Sequence, residues 1–122
     1  MQEFNTRIAP SPTGDMHLGT ARTAYFNWLA AKASGGQFHL RIDDTDTERS
    51  TEENIGTILD VMEWLGLYYD DAYQQSASLA RYKAVANRLV NNFEAFEDDD
   101  CIRLSTLYEQ PKGAVYPVLI KS

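Results

Sequence analysis

Thr6-Arg7-Ile8-Ala9-Pro10-Ser11-Pro12-Thr13-Gly14-Asp15-Met16-His17-Leu18-Gly19-Thr20 is the stretch that decides the fold. A short apolar run enters a loop stiffened by Pro10 and Pro12, passes a His17-Leu18-Gly19 turn, and a helix pattern starts at once. Each proline pushes the residue before it toward extended geometry, so Ala9 and Ser11 have little freedom. Ser11 and Thr13 offer hydroxyls, and Gly14 permits a tight turn. The helix that follows presents unpaired N–H groups and the positive end of its dipole, a ready phosphate site. Gly19 lets a flat base lie against the backbone, and His17 can donate to a phosphate oxygen. The G-x-G-x-x-G fingerprint of dinucleotide folds is absent. With the acid-rich run Leu40-Arg41-Ile42-Asp43-Asp44-Thr45-Asp46 further on, the stretch points to ATP. An ordinary proline-containing turn with a surface histidine accounts for His17-Leu18-Gly19 alone, but not for the whole stretch.

The pattern on either side of this loop is strand, helix, strand, helix. Thr6 to Ala9 reads as a short buried strand. Leu18 to Ser34 carries Leu18, Ala21, Tyr25, Trp28 and Leu29 at helical spacing, and Gly35-Gly36 stops it. Gln37 to Ile42 alternates as a second strand. Ser50 and Glu53 form a capping box for a helix with the stripe Ile55, Ile58, Leu59, Met62 and Leu65, ended by Gly66. A turn around Tyr68 to Ala72 precedes a third helix from about Ser78 to Phe93, with Tyr82, Val85, Ala86, Leu89 and Phe93 as its stripe. Asp98-Asp99-Asp100 is a turn or exposed loop. Cys101 to Leu104 and Val115 to Ile120 read as strands joined by a loop with Pro111 and Gly113, and Pro117 sends the last one to a sheet edge. A βαβα order favours a parallel sheet with helices packed on it and a right-handed crossover. The expected fold is therefore α/β, a partial doubly wound, Rossmann-like parallel sheet with flanking helices, in one domain over residues 1–122.

Composition narrows the function classes. The chain has 122 residues, 43% of them hydrophobic and 24% charged, as in ordinary globular proteins. Eleven basic against eighteen acidic residues give a formal net charge of −7, which lends no support to a nucleic-acid-coating role. The lone Cys101 excludes an internal disulfide and a cysteine-built zinc site. No apolar run approaches the ~20 residues of a membrane span. The polar start Met1-Gln2-Glu3-Phe4-Asn5 is no signal peptide, so the expected location is the cytoplasm.

Asp43, Asp44 and Asp46 stand at a strand end, where they can hold Mg²⁺, accept from a substrate amine, or form a solvated loop. Asp44-Thr45-Asp46 is not an EF-hand, because no glycine falls at the sixth loop position. No protein metal site is expected. His39 alternates with core positions and reads as structural. Trp28, Trp64 and Tyr68-Tyr69 fall at core or helix-end positions, where packing is a better account than base stacking.

Thr6 to Asn27, Leu40 to Ser50 (LRIDDTDTERS) and Trp64 to Leu67 (WLGL) resemble the amino-terminal part of the catalytic domain of class I glutamyl-tRNA synthetases. His17-Leu18-Gly19-Thr20 is similar to that class's HIGH box, and Gln75-Ser76 with Leu79 and Tyr82 to its Q-S-x-x-L-x-x-Y segment. The resemblance is dense over roughly the first 90 residues and thin afterwards. It implies that Arg7, Ala9, Ser11 and Asp43 face glutamate, with Arg7 on a carboxylate. Ser11, Pro12, Thr13, Gly14, His17, Gly19 and Thr20 would line the ATP site, His17, Gly19 and Thr20 as the catalytic HIGH-type group. Asp46 would lie near the acceptor end of tRNA. The implied chemistry is activation of glutamate by ATP with Mg²⁺, then transfer to tRNA.

The departures from that pattern are specific. Asp43 stands where the family usually carries Glu, and Gln75-Ser76-Ala77-Ser78 lacks the Glu and Arg of Q-S-E-R. The segment between Phe93 and Cys101 is far shorter than the family's acceptor-stem insertion. Lys121-Ser122 ends the chain before a KMSKS-type lysine loop or an anticodon domain. The expectation is a truncated synthetase-like domain that binds ATP and glutamate, has impaired activity and weakened tRNA contacts, and self-associates through an exposed sheet edge. The alternative is a non-catalytic nucleotide- or partner-binding module derived from a synthetase.

Overall fold

The computed structural model describes residues 2–105 and 118–121. The chain divides into two compact units, Met1–Ala77 and Ser78–Ser122.

The first unit is built on a parallel sheet. Strands β1 (Thr6–Ile8), β2 (Phe38–Ile42) and β3 (Asp71–Gln74) lie in the order β1-β2-β3, with α1 (Leu18–Ser34) and α2 (Glu52–Trp64) as the connections. Thr6 sits opposite Phe38, Ile8 opposite Leu40, and Ile42 opposite Gln74. The alternation read in β2 holds: Phe38, Leu40 and Ile42 are buried, and His39 and Arg41 are half-buried on the other face. Phe38, Leu40, Ile58, Met62 and Leu67 are fully enclosed, each contributing roughly 1.5–3 kcal/mol of burial. β3 falls where the sequence suggests a turn and then no strand at all. Its first three residues are exposed and it opens on Asp71, so neither alternation nor apolar content marks it; pairing with β2 makes it a strand.

Both helix stops fall where glycine places them. Gly35 adopts φ 78, its N–H reaches the Lys32 carbonyl, and the Gly36 N–H reaches that of Ala31. Gly66 adopts φ 70 and repeats the arrangement with Glu63 and, through the Leu67 N–H, Met62. This is the αL termination in which two orphan carbonyls are satisfied at once. Gly36 serves a second purpose, since a Cβ there would stand 2.1 Å from the Phe4 carbonyl oxygen.

The starts and faces of the helices differ from the sequence reading. The N-cap of α2 is Thr51, not Ser50: the Thr51 hydroxyl accepts from the Asn54 N–H at 3.1 Å, while the Ser50 hydroxyl is buried with no hydrogen-bond partner. On α1 the residues fully buried against the sheet are Ala24 and Ala31, supported by partly buried Trp28. Leu18, Tyr25 and Leu29 of the expected stripe are exposed, as is Phe26. Large apolar side chains marked the wrong face, because small Ala24 and Ala31 take the fully buried places and Trp28 is only partly covered. Trp64 is also exposed, at 83%, rather than packed.

The second unit holds α3 (Leu79–Asn91) and an antiparallel sheet of β4 (Ala95–Asp98), β5 (Cys101–Leu104) and β6 (Val118–Lys121), in the order β4-β5-β6. A short 3₁₀ turn, Gln75–Ser78, precedes α3. β4 and β5 form a hairpin across Asp99 and Asp100, with Asp98 opposite Cys101 and Asp99 at φ 48. That turn agrees with the sequence reading; β4 itself, the acidic run Ala95-Phe96-Glu97-Asp98, was not anticipated. Ala86, Ala95 and Cys101 are its buried apolar residues among those described. β6 lies at the edge of this sheet, as Pro117 suggests, although residues 115–117 of the expected strand fall outside the described residues.

Candidate functional site

In a parallel sheet with helical crossovers the carboxyl ends of the strands share one edge, and ligands of such folds bind there. β1 ends at that edge and hands the chain to the loop that precedes α1. The loop is anchored by Pro12, which is fully buried, and is turned tightly where the Thr13 N–H donates to the Ser11 carbonyl at 2.9 Å. A cleft of about 240 Å³ opens against it. Ser11, Thr13, Gly14, His17 and Thr20, five of the residues expected at ATP, line this cleft together. Pro12, also expected there, is buried and does not line it.

Gly14 does not take up the left-handed region; Gly35 and Gly66 are the positive-φ glycines among the described residues. Its turn therefore does not need glycine's freedom. A Cβ there would meet nothing within 4 Å, so the missing side chain leaves that part of the loop open.

His17 caps α1. Its Nδ1 accepts from the Thr20 N–H at 3.3 Å, so in a neutral ring Nε2 carries the proton and donates to the Thr20 hydroxyl at 3.2 Å. The ring thus folds over the first turn of the helix. Gly19 makes room for it, since a Cβ at Gly19 would lie 3.2 Å from His17 Nδ1. This is a second reason for glycine at that position, beside the approach of a base read from the sequence. α1 has no acidic residue in its first turn to oppose an anion at its amino end.

Four lining residues escaped the sequence reading, and of these Pro10 was read only as stiffening the loop. Asp15 and Met16 are neighbours of the motif with no pattern of their own. Ile58 was assigned to the apolar stripe of α2, which also packs beside the cleft.

The residues expected at glutamate do not all converge on this cleft. Ser11 lines it, while Arg7 is exposed on β1, opposite His39, and Ala9 is half-buried at the strand's end. Asp43 is held by Arg41, whose Nε and Nη2 reach the two carboxylate oxygens, the second at 2.8 Å. The Asp43 N–H donates to the Pro10 carbonyl at 3.0 Å, joining the acidic loop to the cleft loop. Asp46 lies in the exposed part of the acidic loop, where its carboxylate accepts from Arg49 Nε at 2.7 Å and from the Arg49 N–H at 3.2 Å. Those bonds hold the Asp46 carboxyl below the usual aspartate value.

Asp44 was read only as part of the acidic run, yet it is buried and takes three hydrogen bonds. Gln74 Nε2 and Ser76 Oγ donate to one oxygen at 2.5 and 2.6 Å, and the Ser76 N–H donates to the other at 2.8 Å. Burial alone would raise its pKa; the Ser76 and Gln74 bonds outweigh that and leave it lowered. The sequence signal for this was the Gln75-Ser76 segment, of which Ser76 takes part and Gln75 does not.

Residues 3–105 match the family profile described as tRNA synthetases class I (E and Q), catalytic domain. The chain is 48% identical over 114 residues to the glutamate–tRNA ligase of Xanthomonas axonopodis, covering 88% of this chain and 24% of that protein. It is 54% identical over 92 residues to the glutamate–tRNA ligase of Legionella pneumophila, covering 75% of this chain and 20% of the other. A glutamate tRNA ligase from Elizabethkingia meningosepticum, solved in complex with its amino acid, superposes with a TM-score of 0.71 at 34% identity. That superposition covers 80% of this chain and 22% of the other. The chain thus spans about a quarter or less of the length of these relatives.

Proposed function

The chain belongs to the catalytic-domain family of class I tRNA synthetases for glutamate and glutamine, and we propose that it binds ATP and glutamate for the activation of glutamate that precedes its attachment to tRNA. The observation that carries this reading is the gathering of Ser11, Thr13, Gly14, His17 and Thr20 around one cleft at the amino end of α1. In that reaction a glutamate carboxylate oxygen attacks the α-phosphorus of ATP, a new P–O bond forms, and pyrophosphate leaves. The residues at hand bind and orient: Ser11 and Thr13 offer hydroxyls, and the helix end favours the phosphate charge. His17 Nε2–H, now on the Thr20 hydroxyl, is the donor available to a phosphate oxygen after a turn of the ring. Arg7 and Asp43 take the carboxylate and amine of glutamate, and Asp46 stands toward the acceptor end of tRNA.

Among the described residues no three His, Cys, Asp or Glu side chains gather as a metal site. Mg²⁺ in this reading arrives on the phosphates of ATP, its usual mode, with Asp15 the carboxylate of the cleft lining.

One observation favours a second reading, a nucleotide-binding module without activation chemistry. Arg41 grips the Asp43 carboxylate, the group expected to hold the substrate amine. Calorimetry with ATP–Mg²⁺ and with a non-hydrolysable glutamyl-adenylate analogue, followed by ATP–pyrophosphate exchange, separates the two. Analogue binding with glutamate-dependent exchange supports activation; ATP binding without either supports the module. His17→Ala is expected to weaken ATP binding by about tenfold, the loss of one charge-assisted hydrogen bond. Unchanged affinity would remove His17 from the site.

A further inference from the structure

Asp44 is the one buried polar or charged side chain among the described residues, 7% exposed, and the chemistry proposed above gives it no contact with substrate. A carboxylate taken out of water is costly unless its lone pairs are occupied, and an apolar residue of similar size usually fills such a place more cheaply. What the carboxylate does here that an apolar residue cannot is reach three donors in another segment. Gln74 is the last residue of β3, and Ser76 lies in the 3₁₀ turn that follows. Asp44 itself stands just beyond the end of β2. The residue before it, Asp43, gives its N–H to the carbonyl of Pro10, a cleft-lining residue of the loop after β1. One buried carboxylate and one backbone bond therefore tie together the carboxyl ends of β1, β2 and β3.

We infer that Asp44 is a positioning residue for the cleft: it locks the end of β2 to the end of β3 and, through the Asp43–Pro10 bond, fixes the loop that carries Ser11 and Thr13. This deepens the proposed function and rests on it for its ligand half. It assigns the acidic run three separate duties. Asp43 faces Arg41, Asp46 faces Arg49, and Asp44 turns inward to Gln74 and Ser76.

The test uses Asp44→Asn, which keeps the shape but presents one oxygen and an NH₂ group where three donors converge. Met62→Ala, a core substitution in α2 away from the cleft lining, serves as the control for simple loss of stability. Amide exchange of the Asp43 and Thr13 N–H groups, followed by NMR without ligand, reads the coupling directly. Asp44→Asn is expected to speed both at least tenfold, while Met62→Ala leaves them near the wild-type rates. Unchanged rates in Asp44→Asn, or an equal rise in the control, overturn the inference. Ser76→Ala, which removes one of the donors, gives a smaller change in the same direction and serves if Asp44→Asn does not fold. Calorimetry with the glutamyl-adenylate analogue reads the ligand half. Per folded molecule, Asp44→Asn should bind at least tenfold more weakly and Met62→Ala as wild type. Equal affinities overturn that half. A wild-type chain that binds no analogue sinks the proposed function, and the exchange rates still decide the coupling.

Discussion

Phe93 holds φ 60, a region where a side chain other than glycine's meets its own backbone, and 91% of the residue is exposed, so no burial offsets the cost. It stands just past α3, with its N–H on the Val90 carbonyl and the Glu94 N–H on that of Leu89. Gly35 and Gly66 occupy the same place after α1 and α2. Phe93→Gly should therefore stabilise the second unit by about 1 kcal/mol, read as a higher urea midpoint. A lower midpoint would mean that the ring makes a contact that stabilises the fold. Asp44 yields a prediction about acid. Its folded pKa is lowered from 3.8, burial raising it and the Ser76 and Gln74 hydrogen bonds lowering it by more. Such a group contributes stability that is present above the unfolded value and is lost as the pH falls through the folded one. Asp46, through Arg49, and Asp70, through the Phe38 N–H and then Lys32, are lowered in the same direction. The protein should lose stability from about pH 4 downward, and Asp44→Asn should flatten that limb while lowering stability at neutral pH. Urea midpoints at neutral and acid pH check both parts.

The register of the α2 cap makes the adjoining residues Ser50 and Thr51 behave differently. Thr51→Ala removes the acceptor for the Asn54 N–H and should cost about 1 kcal/mol, whereas Ser50→Ala removes a hydroxyl with no partner and should cost little or nothing. Denaturation of the two variants side by side decides it; equal losses would put the cap back at Ser50. Helix stops were legible because only glycine enters the αL region without penalty, and both were found. The cap was displaced by one residue because Ser50-x-x-Glu53 and Thr51-x-x-Asn54 are both plausible as strings, and only the entry path of the chain chooses. The face of α1 was misread for a different reason: Ala24 and Ala31 carry little hydrophobic signal, yet they are its fully buried residues. β3 was illegible because its only claim to strand geometry is its partner. The same division runs through the site. The cleft residues around His17 are neighbours in sequence, so a string displays them together. Ile58 depends on how α2 packs, and the Asp44 anchor on the neighbouring strand β3, neither of which a string displays.

β1 and β3 are the outer strands of the first sheet, and among the described residues the free side of β1 carries no pairing. Leu18, Tyr25, Phe26 and Leu29 leave an apolar surface on α1 as well. Open strand edges and exposed apolar side chains both favour association with another copy. Sedimentation equilibrium should show a concentration-dependent dimer that Phe26→Glu weakens; a monomer at every concentration would count against it. No helix among the described residues is long and apolar enough to cross a membrane, so this surface is not the face of a membrane-spanning helix. The seating of α1 on its sheet through small Ala24 and Ala31 has a mechanical side. Ala31 lies near one end of this rod, and His17 caps the other end, about 20 Å away. A tilt of about 3° about Ala31 would swing the tip by about 1 Å, enough at a reacting centre to change a rate about a hundredfold. The leverage lies in a residue that no ligand could ever reach.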